Sequence, residues 1–211
     1  MNFNAIILQQ SNSEGDLSKQ CMRLVYARHS AYANAHQMDY LAKMGDVTRT
    51  QLRGAWHKIY MLRQALADGY EYAFWIDNDA AIWDFGTDLR SAFIDKQGSI
   101  GACIHDANGI PRHLNVGVLF VRNTPEAVQF LDEWLAEYPG DVQWMEQGSF
   151  NKLAEKYTDV VFQMDDKFNA TVNVNMVANP VIYAWHGVNP WEVRYDAMKE
   201  ALKEDYFNFR V

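Results

Sequence analysis

The sequence predicts an α/β fold, a mostly parallel central sheet flanked by helices, and three observations carry that expectation. Short apolar runs of strand length recur along the chain, and segments with helical periodicity separate most of them. The chain has 211 residues, enough to bury a sizeable core. It shows no internal repeat, low-complexity stretch or linker, so residues 1–211 read as one domain.

The first element is the run Ala5 to Leu8, bounded by polar residues as a buried strand is. Helix formers then fill Leu17 to His36, with Cys21, Leu24, Val25, Arg28 and Tyr32 at helical spacing, and MDY marks the end. A second helix is expected over Arg53 to Ala67, with Trp56, Ile59, Tyr60, Leu62, Arg63 and Leu66 on one broad face and Gly69 as its stop. Tyr70 to Ile76 reads as an aromatic-rich central strand ending at Asp77. Two further strands are expected over Ser99 to Ile104 and Asn115 to Arg122. Thr124, Pro125 and Glu126 form an N-cap, a first-turn proline and a first-turn acid for a helix reaching about Tyr138. Another helix over Val142 to Tyr157 precedes the strands DVVFQM and VIYAW, the latter ending at His186. In open α/β sheets ligands gather beyond the carboxyl ends of strands, where Asp77, Asp79 and His186 fall.

Composition narrows the function. A formal charge of -8 argues against a broad phosphate-tracking surface, so nucleic acid is not a favoured partner. Cys21 and Cys103 lack a C-x-x-C partner and ligand spacing to a histidine pair, so both are expected to be reduced and inert. No apolar run reaches the length of about 18 residues that spans a bilayer, and the N-terminus lacks a basic flank and a cleavage site. These features lead us to expect a cytoplasmic protein.

The chemistry concentrates in FWIDNDAAIWD, residues 74 to 84. Two carboxylates at i and i+2 can face one cavity if the backbone turns there, offering hard oxygen ligands to magnesium or manganese. An Asx turn capping a strand is the simpler reading of any D-x-D. Here the pair occurs once and follows the most apolar strand. His186 is either a hydrogen-bonded core histidine or a third ligand, and manganese accepts the nitrogen more readily than magnesium does. Gly187 permits a tight turn or close backbone approach there. The P-loop, the dinucleotide G-x-G-x-x-G turn and the G-x-S-x-G elbow are all absent. What remains is a metal-centred site for a phosphorylated substrate.

The stretch from Arg53 to Asp84 resembles the W-x-K-I helix and W-[IL]-D-x-D-A-A-I core of glycosyltransferase family 34, the galactosyl- and xylosyltransferases of yeast and plants. Tyr32-Ala33-Asn34-Ala35-His36 is similar to that family's Y-A-x-x-H-G-Y segment. LNVGVLFVRN followed by a helix is similar to its L-N-T-G-x-F-x-[IL]-R-N, and Glu146-Gln147 to its E-Q pair. HGVNPW, residues 186 to 191, is closer to the ending of the glycogenin-like family 8. The pieces run in order from about residue 26 to 191. Gln37 and Met38 replace the Gly-Tyr of the family, and Asn189 replaces the phosphate-binding Lys of the glycogenin type.

The resemblance implies a GT-A fold and a metal-dependent, retaining transfer of a hexose or pentose from a nucleotide diphosphate sugar, a UDP-sugar by preference, to a glycan or other hydroxyl acceptor. A modified nucleic acid stays among the possible acceptors. The resemblance also implies that Asp77, Asp79 and His186 hold Mn2+ or Mg2+. Arg28, Tyr32, His36, Lys58, Asp77, Asn78, Asn115 and Gly187 are the implied donor-binding residues. Lys58 is either a diphosphate or sugar contact or part of a solvated helix face. Arg28, Tyr32 and His36 share a face by their i, i+4 spacing, and the same spacing suits a half-buried polar helix surface. Gln147 is the candidate beneath the anomeric carbon, with Glu146 orienting it or binding acceptor; Lys58 completes the implied catalytic group. Trp83, Trp144 and Trp191 are candidates for stacking on sugar rings. The family's eukaryotic membrane anchor has no counterpart, which suits a bacterial or viral source. Two rival readings differ in class: a sugar nucleotidyltransferase, whose Gly-rich basic loop is not matched by QSNSEGD after the first strand, and a carbohydrate- or cation-binding module holding calcium.

Overall fold

Alternation along the apolar strands decides how this protein is layered. In the computed structural model, which describes residues 4–11, 16–45, 52, 54–107, 110–140 and 144–206, β1 (Ala5–Ser11) is buried along its whole length. Ile6 and Leu8 face one core and Ala5 and Ile7 another. In β3 (Tyr72–Ile76), Ala73 and Trp75 likewise join the first core and Phe74 and Ile76 the second. A strand covered on both faces has no polar side to show, hence the unbroken apolar runs. The first core is closed by α2 (His57–Ala67), α3 (Pro125–Ala136) and α4 (Met145–Lys156). The other face is covered by α1 (Asp16–Ala35) and α5 (Trp191–Tyr206), which pack together, and by a small sheet.

With β2 (Asp39–Met44), β5 (Ile100–Ala107), β6 (Ile110–Arg122) and β7 (Val161–Gln163), the main sheet has the order β2-β1-β3-β6-β5-β7. β1 runs parallel to β2 and β3, and β5 to β7, while β6 is antiparallel to both β3 and β5. Five strands therefore point one way and β6 alone is reversed, so the expected mostly parallel sheet holds. The second sheet orders β4 (Ala80–Ile82), β9 (Ile182–Ala184) and β8 (Ala170–Thr171).

The expected helices are present with shifted ends, and Thr124 caps α3 by accepting from the Ala127 N–H at 3.2 Å. Arg53, Val142 and the centre of the QSNSEGD loop lie outside the described residues. The sequence reading missed β2, because an edge strand with a half-exposed face offers no apolar run. It also missed β4, β8 and α5. Cys21 and Cys103 are free and buried, and burial pushes their thiols up, Cys21 to about 12. No described helix is long and apolar enough to cross a membrane.

His29 pins α1 to both sheets. Its Nδ1 faces Gln9 Oε1 at 2.9 Å, and the Ile82 N–H donates to Nε2 at 3.1 Å, which fixes the neutral tautomer with the proton on Nδ1. Complete burial and the nearby Arg28 charge push its pKa down to about 3 from 6.5. The unfolded chain takes up this proton below about pH 6.5 and the folded one does not, so stability falls as pH drops from there, by about 1.4 kcal/mol per pH unit, until about pH 3. Denaturant titrations at pH 7 and 5 should show a loss of about 2 kcal/mol from this residue, absent in His29→Gln.

Candidate metal-centred active site

Period-two alternation puts Asp77, the first residue past β3, on the same side as Trp75. The Trp75 indole N–H donates to Asp77 Oδ1 at 2.6 Å. On that side α2 delivers Lys58, which is buried to 3% exposure. Lys58 Nζ lies 3.4 Å from Asp77 Oδ1 and 3.2 Å from Glu146 Oε1, and donates to the Val116 carbonyl at 3.1 Å. Burial opposes the Lys58 charge, but the two carboxylates outweigh it and raise its pKa. Burial raises the Asp77 carboxyl, with Lys58 pulling the other way. Lys58 is therefore a buried cation with two acidic partners, and the solvated-face reading is excluded by its burial.

Beyond Asp77 the chain turns, the Ala80 N–H donating to the Asp77 carbonyl at 3.1 Å, and enters β4. Pairing of β4 with β9 places Asp79 beside His186, 107 positions later in sequence, with the Trp185 N–H donating to the Asp79 carbonyl at 2.8 Å. Asp79 Oδ1 sits 3.1 Å from His186 Nδ1, and Oδ2 accepts from the Arg194 guanidinium at 2.6 Å. Burial works against the Asp79 charge, yet His186 and then Arg194 hold its pKa down to about 2. His186 is lowered by burial but raised more by Asp79, so the net direction is up. Gly187 supplies the turn behind it at φ 77°.

One donor atom from each of Asp77, Asp79 and His186 lies within 4.8 Å of the other two. His186 Nε2 is shielded from water and has no hydrogen-bond partner, a costly state that a ligand would relieve. Two carboxylates and an imidazole match the donor preferences of manganese and, less closely, magnesium. The residues thus fit a divalent cation.

The floor of the site is the segment Asn115-Val116-Gly117 of β6. Pairing with β5 jumps from Ala102↔Leu119 to Cys103↔Asn115, so residues 116 to 118 leave the β5 ladder. Side chains take up the freed backbone groups, as buried N–H groups require. Gln147 Oε1 accepts from the Val116 N–H at 3.2 Å and from Asn115 Nδ2 at 3.3 Å, while Asn115 Oδ1 accepts from the Gly117 N–H at 2.9 Å and from Asn169 Nδ2 at 3.0 Å. The Asp77 N–H in turn donates to the Gly117 carbonyl at 2.7 Å. A Cβ on Gly117 would fall 2.5 Å from both Cε1 and Nε2 of His186. Gly117→Ala should therefore displace the imidazole, lowering Mn2+ affinity at least about tenfold and costing roughly 1–3 kcal/mol of stability. Electron paramagnetic resonance titration and thermal melting would check both.

Six other candidates separate into distinct roles. Arg28, Tyr32 and His36 do share one face of α1, but that face holds the chain itself. Arg28 donates to the carbonyls of Ile82 and Trp83, the Tyr32 hydroxyl donates to Thr87 O at 2.7 Å and accepts from the Leu89 N–H, and His36 Nε2 meets Phe85 O at 2.8 Å. Tyr32 is wholly buried, and in this structure the three side chains clamp residues 82 to 89 behind the D-x-D turn. Asn78 donates to Gln10 O at 2.9 Å and to Ser18 Oγ at 3.1 Å, leaving its own Oδ1 buried without a partner. Trp83 packs on Tyr183 under Arg28, and Trp191 lies 4.1 Å from the Arg194 guanidinium carbon.

Arg194 was missed from sequence. Beyond its bond to Asp79, it donates to Val188 O at 2.9 Å and to Asn189 Oδ1 at 3.3 Å. Asn189, standing where the glycogenin type has lysine, is thus a partner of a buried arginine one helical turn into α5.

The architecture matches known proteins over nearly its full length. A glycosyltransferase involved in glycosylation of the major capsid of PBCV-1 superposes with a TM-score of 0.69 at 16% identity, covering 93% of this chain and 98% of that one. The galactosyltransferase LgtC, solved with donor and acceptor sugar analogs, superposes at 0.61 and 11% identity, with 95% of each chain covered. The chain has the GT-A fold. Within this GT-A chain, residues 3–99 match the galactosyl transferase GMA12/MNN10 family, so the resemblance to family 34 stands over the segment that carries β1, α2 and the D-x-D turn. Galactomannan galactosyltransferase 1 of Cyamopsis tetragonoloba is 23% identical over 143 residues, 64% of this chain and 32% of that protein. Probable glycosyltransferase 7 of Oryza sativa subsp. indica is 27% identical over 128 residues, 56% of this chain and 27% of its own length. The GT-A chain therefore spans about a third or less of the relatives it matches.

Proposed function

We propose that this protein is a metal-dependent glycosyltransferase that moves a hexose or pentose from a UDP-sugar to a hydroxyl acceptor. The observation that carries the proposal is the convergence of Asp77, Asp79 and His186 at the carboxyl ends of β3, in the main sheet, and β9, in the small one, within a GT-A fold. Those three residues would hold Mn2+ or Mg2+, which supplies Lewis-acid neutralisation of the charge growing on the departing diphosphate. A single domain over 1–211 holds all the residues invoked.

The chain's own groups account for the rest. Lys58 links Asp77 to Glu146, so the proposed metal-binding carboxylate and the start of α4 would keep one fixed spacing. Gln147 Oε1 is anchored on β6, which sets the side chain proposed to lie under the anomeric carbon and steady positive charge there. Asn78, with its unpartnered carbonyl oxygen, and Asn115 and Gly187 supply donor contacts around it. The glycosyl bond of a sugar nucleotide is already labile, so positioning and leaving-group stabilisation suffice and no strong base is needed. We infer retention of configuration from the family 34 resemblance.

Incubation with UDP-galactose, UDP-xylose or UDP-glucose and Mn2+ should release UDP slowly without acceptor and faster with one. Binding of Ca2+ with no UDP release and no nucleotide affinity would instead establish a cation-binding module and refute the transferase.

A further inference from the structure

We propose that Trp144 is the stacking platform for a pyranose ring of the acceptor, an assignment that rests on the transferase reading above. Trp144 is 38% exposed and its neighbour Met145 49% exposed, two large apolar side chains together at the start of α4. They immediately precede Glu146 and Gln147, the residues that reach Lys58 and the β6 floor. The platform is thus tied to the site by two consecutive residues of one rigid helix. Trp144 is also the end of a line of rings that starts at the metal triad. His186 lies 6.2 Å from His105, His105 5.9 Å from His113, and His113 5.2 Å from the Trp144 indole, centroid to centroid.

The backbone at this point is unusual. Met145 has φ 46°, in the left-handed region that an unbranched L-residue occupies at a cost, and Trp144 lies at φ -122°, ψ 7°. Such strain gathers at ligand sites because folding alone does not favour it. It falls where an exposed indole enters α4. Of the other two candidate tryptophans, Trp83 packs on Tyr183 and Arg28, and Trp191, equally exposed at 38%, carries the Arg194 guanidinium over its ring, whereas the ring neighbour of Trp144 is the imidazole of His113.

An exposed indole beside imidazole and amide groups suits one ligand chemistry. A pyranose presents an apolar C–H face to the ring and a hydroxyl edge to polar neighbours, here His113 and Gln147. Donor and acceptor both carry such a ring. The distance along the ring series from the triad favours the acceptor, since the donor sugar is tied to the diphosphate at Asp77, Asp79 and His186.

The test separates these sources. Wild type, Trp144→Ala and Trp144→Phe would be assayed for Mn2+-dependent hydrolysis of UDP-galactose, UDP-xylose and UDP-glucose, then for transfer to methyl β-galactoside, glucoside, mannoside and xyloside. In Trp144→Ala the acceptor KM should rise about tenfold with donor hydrolysis unchanged, and Trp144→Phe should restore most of the affinity. An equal fall in hydrolysis and transfer would place the ring on the donor and overturn the assignment. Hydrolysis by wild type without transfer to any of the four glycosides would overturn the pyranose acceptor class. Saturation-transfer difference NMR of the same glycosides, with no donor present, reads the platform even if hydrolysis fails and the transferase reading with it. Equal glycoside signals in wild type and Trp144→Ala would sink the proposal.

Discussion

Asp79→Asn should lower kcat/KM for the nucleotide sugar by on the order of a thousandfold while the protein still folds. In the proposed site Asp79 would contribute a ligand oxygen, and its charge pairs with His186 and Arg194. Asparagine keeps hydrogen-bonding capacity and removes the charge, so the cation loses affinity and the diphosphate loses its counter-charge together. Asp79→Ala should be equally inactive but less stable, because it leaves a buried guanidinium unpaired. Thermal melts with UDP and Mn2+ separate the two effects: wild type gains stability from the pair, whereas neither variant does. A variant that responds as wild type does would remove Asp79 from the metal site.

The second large effect is expected on stability. Lys58→Met deletes a cation 96% shielded at its side chain, and leaves Asp77 and Glu146 without their shared partner. Breaking a buried pair typically costs about 3–5 kcal/mol, and the lower end applies because the Asp77 side chain keeps 32% exposure. For a chain of this size, about 3 kcal/mol corresponds to roughly 6–12 °C in Tm. Lys58→Arg, which keeps the charge in a larger head, should recover part of the loss. A Tm within a degree of wild type for Lys58→Met would show that the carboxylates are not held by this lysine.

Local chemistry made part of this site legible in the sequence. The D-x-D pair is visible because its spacing is local and the strand before it is apolar without a break. His186 and Gly187 could be nominated because they end a similar run, though only the β4–β9 pairing brings them to Asp79. Residues whose role depends on distant partners were harder to read. The i, i+4 spacing of Arg28, Tyr32 and His36 establishes that they share a face, but periodicity does not say what the face meets. Here it meets residues 82 to 89. Arg194 is separated from Asp79 by 115 positions and sits on a helix with no clean apolar stripe. A lone arginine there resembles any surface charge. The one available signal was Trp191 three residues earlier, which stacks on it. The reversed β6 was likewise hidden, since an apolar run carries no mark of direction.

Calorimetric titration of UDP into the wild-type protein, with Mn2+ present and with the metal chelated, tests the central claim most directly. We predict saturable binding with Mn2+ that disappears on chelation. Equal UDP binding in both conditions, or none in either, would contradict a diphosphate site built on Asp77, Asp79 and His186.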